Sequence, residues 1–407
     1  MRTMFIRNAA IVDGLTEERH EPVDIRFSDG KVVEVGKSLP GRSDNDIDLA
    51  GLTVLPGLID CHVHVIAATA NLGRNAELPN SYVALAAGQI MRGMLMRGFT
   101  TVRDLGGADH GLVTALDSGL IQGPRLVICG KALSQTGGHT DYRDRANRRS
   151  VDHYPDQLGA LGRICDGVDA VRRAAREELK AGAAFIKVMA NGGVSSPTDP
   201  IDALAFSSGE LRAAVEEAAN QHTYVAAHLY TDEAIARALD CGVRSIEHGN
   251  LIKSDTAARV REAGAVVVPT NITYAVVARD GARYGMSAES LEKVGFVLDA
   301  GLAALETLRD AGVVMGYGSD LLGEMHGHQS EEFVLRGRVL RPHEVIRSAT
   351  ADAARVLGME GQIGALVPGA HADLIAVEGN PLDDLAILTN ENRIRKIIKA
   401  GRLVKNE

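Results

Sequence analysis

Short apolar, β-branched runs recur along the chain, each ending in polar or small residues and most followed by an amphipathic segment and a glycine. Eight lie between residues 54 and 320: "VLPGLIDCHVH" (54–64), "TTVRDLGG" (100–107), "RLVICG" (125–130), "FIKVMANGG" (185–193), "YVAAHLY" (224–230), "SIEHGN" (245–250), "VVVPTN" (266–271) and "VMGYGSD" (314–320). Continuous apolar runs without alternation suit parallel strands buried on both faces. The gaps read as helices. In "SSGELRAAVEEAANQ" (207–221), Ser207 and Glu210 form a capping box, and Leu211, Ala214, Val215, Ala218 and Ala219 fall on one face. Gly182 and Gly242 stand where a helix hands over to a strand and a left-handed residue is needed. The pattern predicts an α/β fold, a (β/α)8 TIM-like barrel. A doubly wound open sheet is disfavoured, because no G-x-G-x-x-G follows the first strand.

The ends behave differently. Residues 1–55 and 364–407 alternate polar and apolar and turn at Asp-Gly and similar positions, as hairpins do. Neither end has strands enough to bury a core alone. They are expected to pair into one small β-sandwich beside a barrel at 56–363.

Composition narrows the function. A formal net charge of −9 over 407 residues argues against nucleic acid or an anionic membrane as partner, and 4% aromatics with no Trp argue against a base-stacking platform. The start "MRTMFIRNAAIVDG" does not read as a secretory signal, and no stretch approaches a membrane span. Cys61, Cys129, Cys165 and Cys241 are far apart, which fits buried thiols in a reducing cytoplasm.

In such a barrel, polar residues at the C-terminal ends of strands converge on one mouth. Those positions carry His62 and His64 (run one), Lys187 (run four), His228 (run five), His248 (run six) and Asp320 (run eight). Taken singly, each has an ordinary explanation: a hydrogen-bonded core histidine, a snorkelling lysine, an aspartate cap. Taken together, neutral imidazoles and a carboxylate are the ligands that zinc and similar borderline cations prefer. Lys187 is the odd member, since an ammonium is repelled by a dication. Either its amine is a neutral nucleophile that forms a Schiff base, or it combines with carbon dioxide to give an anionic carbamate that bridges two metals. The four histidines and the aspartate favour the carbamate.

"LPGLIDCHVH", the run-four lysine, "AAHLY", "SIEHGN" and "GYGSD" resemble the amidohydrolase superfamily over essentially the whole chain. "RGFTTVRDLGG", "ALSQTGGH", "IKVMANGGVSSPTDP", "GSDLLGE" and "VPGAHADLIAVEGNPL" resemble its imidazolonepropionase-like cluster, in the branch with Xaa-Pro dipeptidases and ochratoxin-type amide hydrolases. The resemblance implies that His62, His64 and Asp320 hold one divalent metal, His228 and His248 a second, and carboxylated Lys187 bridges them, with zinc the expected ion. It further implies hydrolysis of an unactivated amide, with Asp320 taking a proton from the attacking water and passing it to the departing amine. It sets His139 of "QTGGH" against the substrate.

Other substrate contacts follow from position. Tyr230, two residues after His228, is expected on the same side, as a donor to a carboxylate or oxyanion. Asn271 and Tyr274 follow run seven and are expected to line the pocket. The segment 131–167 reads as a long binding loop, and in its "RDRANRR" one of Arg143, Arg145, Arg148 or Arg149 is expected to attract the substrate carboxylate. His326 and His328 follow Asp320 closely and could reach the mouth.

The favoured expectation is a prolidase-like Xaa-Pro dipeptidase acting on small dipeptides or N-acyl amino acids, cytoplasmic and homo-oligomeric, with an octamer as one candidate. The alternatives are an ochratoxin-type amidase releasing phenylalanine, an Xaa-Arg/Lys dipeptidase, a hydrolase or deaminase of cyclic imides or heterocycles, and a Schiff-base lyase using Lys187.

Overall fold

In a computed structural model of the chain, residues 3–194, 198–284 and 288–407 are described. Residues 195–197 of "IKVMANGGVSSPTDP" lie outside them. Seven parallel strands run Leu58–Val63, Phe99–Asp104, Arg125–Ile128, Ile186–Met189, Val225–Thr231, Ser245–Leu251 and Val266–Val268. The eighth position is a single parallel bridge, Val267 to Met315. The ring closes there: Cys61 N donates to Tyr317 O at 2.7 Å and Asp320 N to His62 O at 2.8 Å. The molecule is therefore the predicted (β/α)8 barrel. Every residue of the second and fourth strands is buried, which is why those runs do not alternate.

Helices cover the outside, among them Asn80–Met96, Val168–Lys180, Ser208–Asn220 and Ala288–Asp310. The capping box holds: Glu210 N donates to Ser207 Oγ and Ser207 N to Glu210 Oε2. Gly182 and Gly242 adopt φ of 103° and 93° at the expected handovers.

One expectation needs correction. The segment 131–167 is not all loop. Ala132–Ser134 is a strand paired in parallel with Gly162–Ile164, and Leu133 registers with Val188 of the fourth barrel strand. The third barrel strand is thus split, with Arg125–Ile128 serving the second strand and Ala132–Ser134 the fourth. Gly162 permits this close approach, since a Cβ there would stand 2.6 Å from Ala132 O. The true loop shortens to 135–161 and is tied at both ends.

The chain termini meet in one eight-stranded sheet. Thr3–Ile11 pairs antiparallel with Val23–Ser28, which pairs with Lys31–Gly36; on its other side Thr3–Ile11 runs parallel to Ile47–Asp48 and Leu52–Pro56. Leu52–Pro56 then pairs with Leu374–Glu378, followed by Ile394–Lys399 and Arg402–Asn406. Val32 N donates to Ala370 O and Ala372 N to Gly30 O, so the sheet curls back on itself. Ile6, Ile25, Phe27, Val54, Leu374 and Ile398 share its core, which neither terminus could close alone. Among the described residues no helix is long and apolar enough to cross a membrane. All four cysteines are buried and unpaired.

Candidate active site

His62, His64, Lys187, His228, His248 and Asp320 line one cavity at the C-terminal ends of the barrel strands. The first pair stands at the end of the first strand, where its register with the second strand shifts between Asp60 and Val63 and both imidazoles reach the cavity. His248 and Asp320 are non-glycine residues at φ of 74° and 50°. Left-handed backbone at such residues is disfavoured and recurs where function demands it.

The imidazoles are tied from outside and open inward. His62 Nδ1 donates to Glu247 Oε2 at 2.9 Å, His64 Nδ1 to Gly106 O at 3.4 Å and His228 Nε2 to Gly192 O at 3.1 Å. Carboxylates and carbonyls only accept, so the opposite nitrogen of each neutral ring presents a lone pair to the cavity. His248 is held through Nδ1 by Thr270 Oγ1 at 2.8 Å, leaving its Nε2 inward, 2.9 Å from His228 Nδ1. Asp320 Oδ1 lies 3.4 Å from His62 Nε2 and 3.2 Å from His64 Nε2. Two ligands bound at ~2.1 Å to one tetrahedral ion stand ~3.4 Å apart. Ligand atoms of His62, His248 and Asp320 also lie within 4.8 Å of one another. The donor set fits divalent cations.

Burial and mutual charge set the protonation states. Burial, then the neighbouring cationic groups, hold His228 and His248 well below the usual imidazole range, and burial lowers His62 too. His64 is pulled down by burial but raised on balance by the Asp320 carboxylate facing its Nε2. Burial pushes the Asp320 carboxyl up, yet the imidazoles of His62 and His64 bring it down to about 2. The Lys187 amine is 1% exposed, has no hydrogen-bond partner among the described residues, and is lowered by burial to about 8. An unpartnered buried amine is costly unless it is neutral or modified.

Beneath the mouth lies a charged cluster that sequence reasoning missed. Arg103 grips both Glu247 oxygens at 2.8 and 3.0 Å and also donates to Cys61 O, Ser245 Oγ and Tyr224 OH. Glu247 in turn orients His62. Its carboxyl, pushed up by burial, is pulled to about 2 chiefly by Arg103 and the His62 bond. Asp60 accepts from Ser319 Oγ, Ser319 N, His62 N and Gln329 Nε2, stapling the first strand to the eighth position beside both ligand segments. A charged residue inside an otherwise apolar parallel strand must find a partner, and that signal was present at Arg103 in "TTVRDLGG".

The expected substrate contacts separate into two groups. His139, Tyr230 and Tyr274 line the cavity. The His139 ring stacks on His228 with centroids 4.1 Å apart, and its Nδ1 lies 3.6 Å from Asp199 Oδ2. Tyr274 OH donates to Tyr230 OH at 3.0 Å, leaving the Tyr230 hydrogen to point elsewhere. Arg143 and Asn271 do not line it. The Arg143 guanidinium is forked onto Asp141 at 2.7 and 2.6 Å and reaches Arg149 O, because the loop's own carboxylate is nearer than the mouth. Asn271 is buried against the helix Ala288–Asp310, its Nδ2 3.4 Å from Gly301 O. His326 is buried on Ala67 O and His328 pairs with Glu331; neither lines the cavity.

A parallel barrel whose strand ends gather four imidazoles, a carboxylate and a buried lysine is the architecture of a metal-dependent hydrolase. The chain belongs to the amidohydrolase family, which matches residues 53–404, and is a hydrolase acting on amide bonds; members of the family generally use a divalent metal. It is similar to an amidohydrolase of solved structure at 50% identity and TM-score 0.97, and to a prolidase solved in complex with N-methylphosphonate-L-proline at 46% identity and TM-score 0.98, each match covering 100% of both chains. The ochratoxinase of Aspergillus niger is 32% identical over 371 residues, or 86% of this chain and 75% of that protein.

Proposed function

We propose that this chain is a binuclear metal-dependent dipeptidase of the prolidase kind, cleaving the amide bond before a C-terminal proline. The observation that carries the reading is the buried, unpartnered Lys187 amine among four imidazoles and Asp320. A neutral amine adds to carbon dioxide, forming a nitrogen–carbon bond and releasing a proton, and the resulting carbamate would bridge two cations. His62, His64 and Asp320 would hold one of them, and His228 and His248 the other, with zinc the favoured ion. Divalent cations supply Lewis acidity, acidifying water and polarising the scissile carbonyl.

The protein's own groups do the remaining work. Asp320 Oδ1 stands at ligand–ligand spacing from His62 Nε2 and His64 Nε2 and would join them on one cation, which leaves Oδ2 to take a proton from the attacking water and return it to the leaving nitrogen. Burial keeps the Tyr230 phenol protonated, and with Tyr274 donating to it, its hydrogen is free for the substrate carboxylate. His139, held flat on His228, completes the polar side of the pocket. Gly193 makes room for that ring, since a Cβ there would fall inside the imidazole. Gly193→Ala should displace His139 and lower kcat/KM ~10- to 100-fold, the usual penalty for misplaced polar groups. Thermal melting should move little, because a side chain can swing aside.

Proline is favoured by the likeness to the prolidase and by the pocket wall. Asp320 is the only carboxylate lining the cavity among the described residues, so an arginine or lysine leaving group would be buried unpaired. Kinetic profiles of metal-replete protein against Xaa-Pro, Xaa-Phe, ochratoxin-type amides and Xaa-Arg, with a metal count per chain, test the reading. Two metals and a preference for Xaa-Pro are expected. A protein active without transition metal, or trapped with substrate by borohydride, overturns it. The four buried thiols suit a cytoplasmic protein, and exposed Tyr82, Leu85 and Leu120 suit a homo-oligomer, which light scattering would size.

A further inference from the structure

Three tyrosines line the cavity, and two of them, Tyr230 and Tyr274, satisfy each other. The third, Tyr142, has a buried hydroxyl with no hydrogen-bond partner among the described residues. Such a group carries an uncompensated desolvation penalty. It is also rigidly placed. Next to it, Asp141 accepts from Gly137 N at 2.9 Å and clamps the Arg143 guanidinium, fixing the main chain on both sides. On the facing helix Leu72–Ala76, the absent side chain of Gly73 lets Tyr142 approach: a Cβ there would lie 3.3 Å from Tyr142 Cβ. Arg143, expected to bind substrate, instead braces the residue beside it.

The cavity has two arcs. Tyr230, Thr273, Tyr274 and Val277 follow the fifth and seventh strands, whereas Leu72, Tyr142, Leu161 and Leu322 follow the first strand, the split third strand and the eighth position. If Tyr230 receives the carboxylate of the leaving residue, that half occupies the first arc and the acyl half occupies the second. An amino-acid acyl half has two polar main-chain groups, the scissile carbonyl and the α-nitrogen. The carbonyl is taken up at the ligand cluster. The α-nitrogen then faces a wall of leucines with two unpartnered hydroxyls among the described residues; Thr140 Oγ1 is turned toward Gly162, where a Cβ would stand 2.5 Å from it, which leaves the Tyr142 hydroxyl.

We propose that Tyr142 determines specificity for the acyl half: its phenol oxygen accepts the α-N–H of the substrate, while Leu72, Leu161 and Leu322 enclose an apolar side chain. This rests on the amide-hydrolase reading above. A free dipeptide carries the α-N–H as an ammonium and an N-acyl amino acid carries it as an amide, so both are arms of the test.

The experiment compares leucyl-proline, N-acetyl-leucyl-proline and 4-methylpentanoyl-proline, which lacks the α-nitrogen, on metal-replete wild type and Tyr142→Phe. Wild type should prefer at least one α-N–H substrate over the des-amino amide by tenfold or more in kcat/KM. Tyr142→Phe should reduce that preference to about twofold, mainly through KM, with metal content and melting temperature retained. A response of leucyl-proline alone assigns the contact to an ammonium; a response of both extends it to amides. A variant that slows all three substrates equally, or none, overturns the inference while leaving amide hydrolysis standing. A wild type that cleaves none of them overturns the functional reading and the inference with it.

Discussion

Lys187→Met is expected to lower kcat/KM on the best Xaa-Pro dipeptide by ~10³-fold or more, equivalent to ~4 kcal/mol of transition-state stabilisation, while the protein stays folded. The methionine fills the same volume but cannot become an anion between cations. The same change should stabilise the metal-stripped protein. Burial holds the Lys187 amine at about 8 against an ordinary 10.5, so near neutral pH the fold confines a charge it would rather expose. Removing it should recover up to about 3 kcal/mol. The sign is checkable. Between pH 8 and 10.5 the unfolded chain keeps a proton that the native amine has shed, so this group makes wild type more stable as pH rises, and the methionine variant lacks that increment. Melting curves of chelator-treated wild type and variant across the window, with the dipeptidase assay, test both halves. A variant with full turnover would refute the role given to Lys187; equal stability of the stripped proteins would refute the burial argument.

Arg103→Met should destabilise the fold by ~3–5 kcal/mol, the range for breaking a buried ion pair from one side. Arg103 and Glu247 are both 0% exposed, and losing the guanidinium strands the carboxylate inside the barrel. Glu247 would then rest on His62 and Ser245 alone. Because Glu247 sets the direction of His62, metal affinity should also fall ~10- to 100-fold, as it does when partners behind a ligand are lost. Pairing the change with Glu247→Leu should return much of the stability and none of the metal affinity. Denaturant unfolding and metal titration separate these effects. An Arg103→Met variant as stable as wild type would show that the pair is solvated or dispensable.

The barrel was legible because eight apolar runs, helix caps and handover glycines repeat a local pattern that packing then enforces. The residues gathered at the mouth were legible for a related reason: once the strands were placed, their C-terminal ends had to point to one mouth, and His62, His64, Lys187, His228, His248 and Asp320 were the chemically notable residues there. The loop was not legible. Nothing local in "RDRANRR" shows that Arg143 will fold onto Asp141 two residues away, or that Gly162–Ile164 will pair as a strand inside an expected binding loop. Arg103 and Glu247 were passed over because each reads alone as a misplaced charge, and they make sense only as a pair separated by more than a hundred residues.

Residue order by itself determined the (β/α)8 architecture, the joining of the two termini and the set of metal-seeking side chains, since periodicity and strand direction are local properties. Only the tertiary structure decided which imidazole nitrogens face inward, which buried groups hold them there, and which pocket hydroxyls stand without a partner among the described residues. Those depend on ångström-scale distances between segments remote in sequence, and such distances emerge only when the whole core packs.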